Sequence, residues 1–236
     1  YLINDVVDVE KDRLHPTKRH RPIASGRLSP TTALAVAAIL TVVSLGMGLA
    51  LSVPFAVVAA AYFVVQLAYT FLLKNTVLLD VFTIAAGFVL RAVAGAVVIG
   101  VAISPWLYLC TVLLSLFLGF SKRRHELILL NDQASNHRQI LSEYSPQLLE
   151  EILAVVTSST VMAYSLYTFT YEKLPQNHAM MLTIPFVLYG LFRYLYLVHL
   201  KNEGGSPEEI LLGDRPFLLN VVLWMISVVA ILYFFR

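Results

Sequence analysis

Apolar positions in this chain do not alternate with polar ones at the period of a strand or of a surface helix. They run together in blocks, and the polar residues collect between the blocks. The blocks are Ala33–Val53, Phe55–Leu73, Val77–Val98, Pro105–Phe120, Ile152–Tyr171, Met180–His199 and Pro216–Phe235. A bilayer core takes about 20 helical residues to cross, whereas a soluble helical core would show amphipathic stripes. The pattern predicts an all-α fold, a polytopic membrane helical bundle with seven full spans. It reads as one membrane domain over residues 1–236. "YLI" at the start reads as the last turn of an earlier span, so the chain is expected to be N-terminally incomplete. No signal-peptide pattern, internal repeat or low-complexity tract interrupts this reading.

Composition agrees. Hydrophobic residues make up 58% of the chain and charged ones 14%, and the mean hydropathy of +0.74 is too high for a soluble domain. Cys110 is the only cysteine and falls inside a span, which excludes an internal disulfide and a CxxC metal site.

Charge placement orients the bundle. If the loops alternate sides, one side collects residues 4–32, 74–76, 121–151 and 200–215. That side holds 13 Lys and Arg against 2 on the other, with Arg91 and Arg193 left inside spans. The rich side is therefore the expected cytoplasmic side. All the polar chemistry is expected on that face of an integral membrane protein. Nothing in the chain suggests a nucleic-acid partner, and the oligomeric state is open.

The first charged loop carries a chemical signature. Asp5, Asp8 and Asp12 share one face of a helix over about 10 Å of its length, and Asn4 sits one turn before Asp8. Crowded carboxylates repel one another unless a cation lies among them. Hard oxygen ligands suit Mg²⁺, which keeps waters and completes its shell with substrate phosphates. His15 and Pro16 are expected to end the helix. Lys18, Arg19 and Arg21 follow, and Pro22 and Gly26 fold the chain back. Positive charge next to a metal site suits the remaining oxygens of a bound phosphate. A solvated loop obeying the positive-inside rule explains the bases but not three aspartates on one face. Zinc is not expected, because His15 and His20 have no third soft ligand nearby.

The pattern N-D-x-x-D-x-x-x-D, then K-x-x-R-P-x-x-x-G, resembles the first aspartate motif of the UbiA superfamily of intramembrane prenyltransferases. The matching positions are Asn4, Asp5, Asp8, Asp12, Lys18, Arg21, Pro22 and Gly26. The resemblance implies a fold of nine helices around a central cavity. The motif follows the second of them, so about one and a half helices would be missing here. It also implies a Mg²⁺ site on Asp5, Asp8 and Asp12.

Most members carry a second aspartate-rich motif in the later cytoplasmic loop. Here the equivalent stretch reads "SKRRHELILLND", with Lys122, Arg123 and Arg124 dominant and Glu126 the only acid before Asp132. A basic triplet does not hold a second metal ion, but it can hold a phosphate. Stop-transfer charge at the end of a span is the bland alternative. "SKRRHEL", "LSEYSPQLL", "IPFVLYGLFRYLYLV" and "GGSPEEILLGDRPFLL" together resemble one branch of the superfamily, the phosphoribosyltransferases that act on polyprenyl (decaprenyl) phosphate.

That resemblance implies transfer of 5-phosphoribosyl from phosphoribosyl pyrophosphate (PRPP) to a polyprenyl phosphate, for cell-wall arabinan precursor synthesis. The chemistry is compatible. PRPP brings a diphosphate for the metal and a 5-phosphate that needs cations. The lipid phosphate is already anionic, so no strong base is needed. Asp5, Asp8, Asp12 and Glu126 are the candidate catalytic residues. Asn4, Lys18, Arg21, Lys122, Arg123, Tyr144 and Arg193 are the candidate substrate contacts. Glu126 would touch the ribose hydroxyls or orient a base. Arg124, about 100° round the helix from Arg123, is expected to be a tolerant topogenic charge. Arg193 would snorkel or reach phosphate. Arg91 is expected to make a structural pairing inside the bundle, and Gly87 and Gly95 to let helices approach closely beside it.

Two other readings stand beside this one. The first is a UbiA-type prenyltransferase moving a prenyl chain from an allylic diphosphate to an aromatic or quinone-precursor acceptor. The missing second aspartate motif argues against it. The second is a transporter of a phosphorylated solute, which would need charge or broken helices near mid-membrane and access from both sides.

Overall fold

Ser-Pro and Asp-x-Pro steps start most of the long helices. Ser29 precedes α3 (Pro30–Leu51), and its Oγ accepts the Thr32 N–H at 3.1 Å. Ser52 does the same for α4 (Val53–Phe71) with Phe55 at 3.2 Å. Ser145 caps α7 (Pro146–Thr170), and Asp214 caps α10 (Arg215–Phe234). In each case proline occupies the first turn, where a helix has no use for its missing N–H.

The structure is a computed structural model that describes residues 1–14, 18–130, 139–201 and 207–235. The remaining helices are α1 (Leu2–Val7), α2 (Val9–Leu14), α5 (Leu79–Val98), α6 (Pro105–Leu130), α8 (Ile184–Leu200) and α9 (Pro207–Gly213). Seven helical segments of the described chain are long and apolar enough to cross a bilayer. They correspond one to one with the seven predicted blocks. Within the spans, hydroxyls such as those of Thr41, Thr70 and Thr83 donate to the carbonyl four residues earlier. No water is available there to satisfy them.

Two boundaries differ from the sequence expectation by six residues or more. α6 runs to Leu130 rather than stopping at Phe120, so the basic triplet is on a helix that continues past the apolar block. α7 starts at Pro146, six residues before Ile152, because its Ser145 cap and Pro146 mark the start better than hydropathy does.

The chain packs as two compact units. One takes Tyr1–Ile103 with Asp132–Glu143, and the other takes Ser104–Asn131 with Tyr144–Arg236. In the first unit, α4 packs against both α3 and α5. Gly87 allows the α4–α5 approach, since a Cβ there would meet Gln66 Nε2 at 3.0 Å. Gly95 has open space around it, so it has no such role among the described residues. In the second unit, α6 and α7 form an antiparallel pair with a core that includes Phe117, Phe120, Leu149 and Leu153. Tyr164 ties α7 to the 183 turn and to α10. Its hydroxyl pairs with Thr183 Oγ1 at 2.7 Å and accepts the Trp224 indole N–H at 2.9 Å.

Candidate active site

The opening acidic segment folds as two six-residue helices rather than one. Asp8 sits at the junction, although its N–H still donates to the Asn4 carbonyl and its own carbonyl accepts from Asp12. On ideal helical geometry Asp5 and Asp12 differ by only about 20° around the axis, while Asp8 is about 60° from Asp5. The contacts follow that difference. Arg21 Nη1 donates to Asp5 Oδ1 at 2.8 Å and to Asp12 Oδ2 at 2.9 Å. Asp8 Oδ1 instead accepts from Lys74 Nζ at 2.6 Å. The three aspartates therefore do not converge on one point as expected. Two share one cation, and the third has its own.

Arg21 is brought to the aspartates by a pinned loop. Gly26 adopts φ +79°, a conformation that favours glycine. The Leu28 N–H returns to the Pro22 carbonyl at 3.0 Å, Ile23 and Ala24 are buried, and Arg27 donates to the His20 carbonyl at 2.8 Å. Lys18 is half-buried in the Lys18–His20 turn that opens the loop. His15 and Pro16, the expected helix stop, lie outside the described residues, as do Asp132 and Arg138; α2 is assigned as far as Leu14.

In the sequence, Lys74 reads only as one of the 13 bases that orient the bundle. It lies in the Leu73–Asn75 turn after α4, is 8% exposed, and reaches Asp8 across 66 positions. The signal available was a lone basic residue in a short connection between two apolar blocks.

The oxygen-rich donor set can be tested as a metal site. Among the described residues, no three His, Cys, Asp or Glu side chains group closely enough to hold an ion by themselves. Mg²⁺, however, is commonly held by one or two carboxylates and completed by substrate phosphates and water. Asp5 and Asp12 already turn an oxygen each to a single cationic nitrogen. Asn4 Oδ1 is buried without a hydrogen-bond partner among the described residues. These residues fit a magnesium ion that shares its shell with a phosphate substrate.

The second charged segment lies on the last turns of α6. Arg123 is 2% exposed and paired with Glu126 one turn on. Lys122 is exposed. Arg124 corrects the expectation of a tolerant surface charge. It is 7% exposed, donates to Glu150 Oε1 at 2.8 Å and 3.3 Å, and reaches the Val198 carbonyl at 3.4 Å. It fastens α6 to α7 and α8. Tyr144 is buried just before α7. Arg193 is engaged by Asp214 through two hydrogen bonds, 3.1 Å and 2.8 Å, and its guanidinium lies 5.0 Å from the Tyr196 ring centroid. That pairing accounts for its charge within a span. The Arg193 guanidinium holds the Asp214 carboxyl below the usual carboxylate range, helped by the Phe217 N–H.

The chain is similar to known proteins over most of its length. The profile of the UbiA prenyltransferase family matches residues 1–212. A decaprenyl-phosphate phosphoribosyltransferase of Mycolicibacterium smegmatis is 34% identical over 99% of this chain and 76% of its own length. The protein of that name from Corynebacterium glutamicum is 33% identical over 99% of this chain and 71% of its length. A solved structure of a UbiA homologue from Archaeoglobus fulgidus, bound to DMAPP and Mg²⁺, superposes with a TM-score of 0.75 at 19% identity. It covers 99% of this chain and 82% of that one.

Proposed function

The chain belongs to the UbiA prenyltransferase family, and from that premise we propose that it transfers 5-phosphoribosyl from PRPP to a polyprenyl phosphate. The products are polyprenyl-phosphoryl-5-phosphoribose and pyrophosphate. The observation that carries the proposal is the sequence of its second charged segment, basic at Lys122 and Arg123, where the family resemblance implies a second aspartate-rich motif in most members. The 33–34% identity over nearly the whole chain to relatives named for this activity supports it.

In the reaction, an oxygen of the lipid phosphate forms a bond to ribose C1 as the C1–O bond to pyrophosphate breaks. The electron pair leaves with the pyrophosphate, and no proton need move. The enzyme's task is to align two anions and to hold charge. Asp5 and Asp12, with the Asn4 side-chain oxygen beside them, would hold Mg²⁺, and Asp8, paired here with Lys74, would be a further carboxylate for it. Bound there, the ion would neutralise the diphosphate of PRPP as it departs. Arg21 and Lys18 supply donors to phosphate oxygens next to the aspartates. Lys122 and Arg123 supply cations for a second phosphate, and Glu126 orients Arg123 or a ribose hydroxyl. Tyr144 offers a hydroxyl contact. The one-sided charge of the loops supports a cytoplasmic position for this chemistry.

The test is direct. Membranes or purified protein are incubated with Mg²⁺, radiolabelled PRPP and polyprenyl phosphate, and the lipid fraction is counted. Label should appear there only with both substrates and Mg²⁺. A second arm offers an allylic diphosphate and an aromatic acceptor. Prenylation in that arm, with no label transfer in the first, would assign the chain to the other branch of its family.

A further inference from the structure

Arg21 and Lys74 sit on carboxylate oxygens that the proposed ion would use. A single nitrogen of Arg21, Nη1, donates to Asp5 Oδ1 at 2.8 Å and to Asp12 Oδ2 at 2.9 Å. Lys74 Nζ donates to Asp8 Oδ1 at 2.6 Å. Each aspartate therefore has an internal base as its counter-ion, and Asp5 and Asp12 share theirs. The contacts join three separate stretches of the first unit: the α1–α2 segment, the loop that carries Arg21, and the Leu73–Asn75 turn. None of them involves residues 1–3. Side-chain exposure is 6% at Asp12 and 10% at Lys74, against 38% at Arg21, so Arg21 is the base with water to turn into.

Three carboxylates against two bases leave these five side chains with one net negative charge. That is little attraction for a divalent cation. An ion binding to Asp5 or Asp12 faces the guanidinium held by the same carboxylates, and like charges at that range repel. A base parted from its carboxylate loses a charge-assisted hydrogen bond. In a partly buried site, a charge that finds no new partner is costly. A diphosphate changes the balance. It brings several negative charges, oxygens for the metal shell and acceptors for the bases. The carboxylates then pass to the metal and the bases to the diphosphate, and every charge stays paired.

We propose that Arg21 and Lys74 are internal competitors of the metal, and that they make metal binding conditional on a diphosphate. The aspartates hold Mg²⁺ weakly by itself and firmly together with the diphosphate. By linkage, the metal raises the affinity for the diphosphate by the same factor. The proposal rests on the metal–diphosphate reading of this site and adds an order to it: the two ligands enter together, not the metal first.

Full-length protein purified in detergent is dialysed to equilibrium against Mn²⁺, an EPR-visible substitute for Mg²⁺. The dialysis is run with and without pyrophosphate at matched free Mn²⁺, and protein-bound Mn²⁺ is counted. Without pyrophosphate, Arg21→Gln should bind Mn²⁺ at least about tenfold more tightly than the wild type, the low end for a lost charge-assisted contact. Lys74→Met should move the same way, and Arg21→Lys, which keeps the charge, should stay near the wild type. Pyrophosphate should raise Mn²⁺ affinity at least about tenfold in the wild type and by a smaller factor in Arg21→Gln. Removing a base from a phosphate site thus strengthens its hold on the metal alone, an outcome that a purely phosphate-binding role does not produce. Arg21→Gln and Lys74→Met that bind Mn²⁺ no more tightly than the wild type would overturn the proposal. Equal enhancement by pyrophosphate in the wild type and Arg21→Gln would do the same. Asp5→Asn separates this failure from failure of the site itself. If it loses Mn²⁺ while the bases have no effect, the metal reading stands and the competition is wrong. If it binds Mn²⁺ as the wild type does with pyrophosphate present, both fall.

Discussion

Lys74 and Asp8 meet at 2.6 Å although 66 residues separate them in sequence. Asp8 stands between α1 and α2, and Lys74 stands in the turn between α4 and α5. The pair thus joins the aspartate segment to the helical hairpin behind it. Both side chains are largely removed from water, at 10% and 20% exposure. Removing one partner leaves the other charge poorly solvated, which costs far more than the pair itself contributes.

Lys74→Ala should therefore lower the melting temperature of the detergent-solubilised protein in EDTA, by on the order of 5 °C for a loss of about 2 kcal/mol. Added Mg²⁺ should recover part of that loss by giving Asp8 another cation. Differential scanning fluorimetry with and without Mg²⁺ measures both. A melting temperature unchanged by the substitution would remove Lys74 from the site.

Asp5 and Asp12 hold Arg21 between them. If the same oxygens hold Mg²⁺, the charge they supply is needed for turnover more than for folding. Asp5→Asn should leave the melting temperature near that of the wild type and reduce transfer from PRPP on the order of 10²-fold or more. Asp8→Asn should reduce it similarly. EDTA should stop the wild-type reaction and Mg²⁺ restore it. Turnover at the wild-type rate by Asp5→Asn would end the metal assignment.

The contrast between Asp8 and its neighbours shows where sequence reading succeeds and stops. Seven spans and an aspartate-rich loop followed by bases are local patterns, set by hydropathy and by spacing on a helix, and both were legible. The division of labour among the aspartates was not. It depends on a small rotation around the helix and on Lys74, whose approach to Asp8 is a long-range contact that no local period encodes. Arg124 was misread for the same reason. Its neighbours in sequence suggest a surface charge, while Glu150 and Val198 come to it only through packing of α6 on α7 and α8.

Asp214 gives a pH-dependent prediction. Its carboxyl is held below the usual range by Arg193. The pair therefore stabilises the folded protein above the ordinary carboxylate pKa of about 4. That contribution is lost as pH falls through the lowered folded value. Asp214→Asn removes the charge but keeps a side-chain oxygen to cap α10. The variant should melt below the wild type at pH 7, and the gap should close as pH is lowered below about 4. A gap that stayed constant with pH would show that the ion pair adds nothing and that the cap alone matters.

The three consecutive bases of α6 should separate by function. Successive residues point about 100° apart on a helix, and the structure gives each a different surrounding. Arg124 is buried on Glu150 and a backbone carbonyl, so Arg124→Ala leaves a carboxylate without its partner and should destabilise the second unit by about 1–3 kcal/mol. Its kinetic defect should follow loss of folded protein. Arg123 is buried on Glu126, and Lys122 is exposed at the same end of the helix. If these two clamp phosphate, Lys122→Ala should retain the wild-type melting temperature and lose about 10–150-fold in kcat/KM. Arg123→Ala should show a comparable loss for PRPP or for polyprenyl phosphate. Steady-state kinetics with each substrate varied in turn, normalised to folded protein, distinguishes the cases. Wild-type kinetics in both Lys122→Ala and Arg123→Ala would mean that the segment only orients the chain in the membrane. The phosphoribosyl transfer would then rest on likeness to its relatives, without a phosphate clamp in α6.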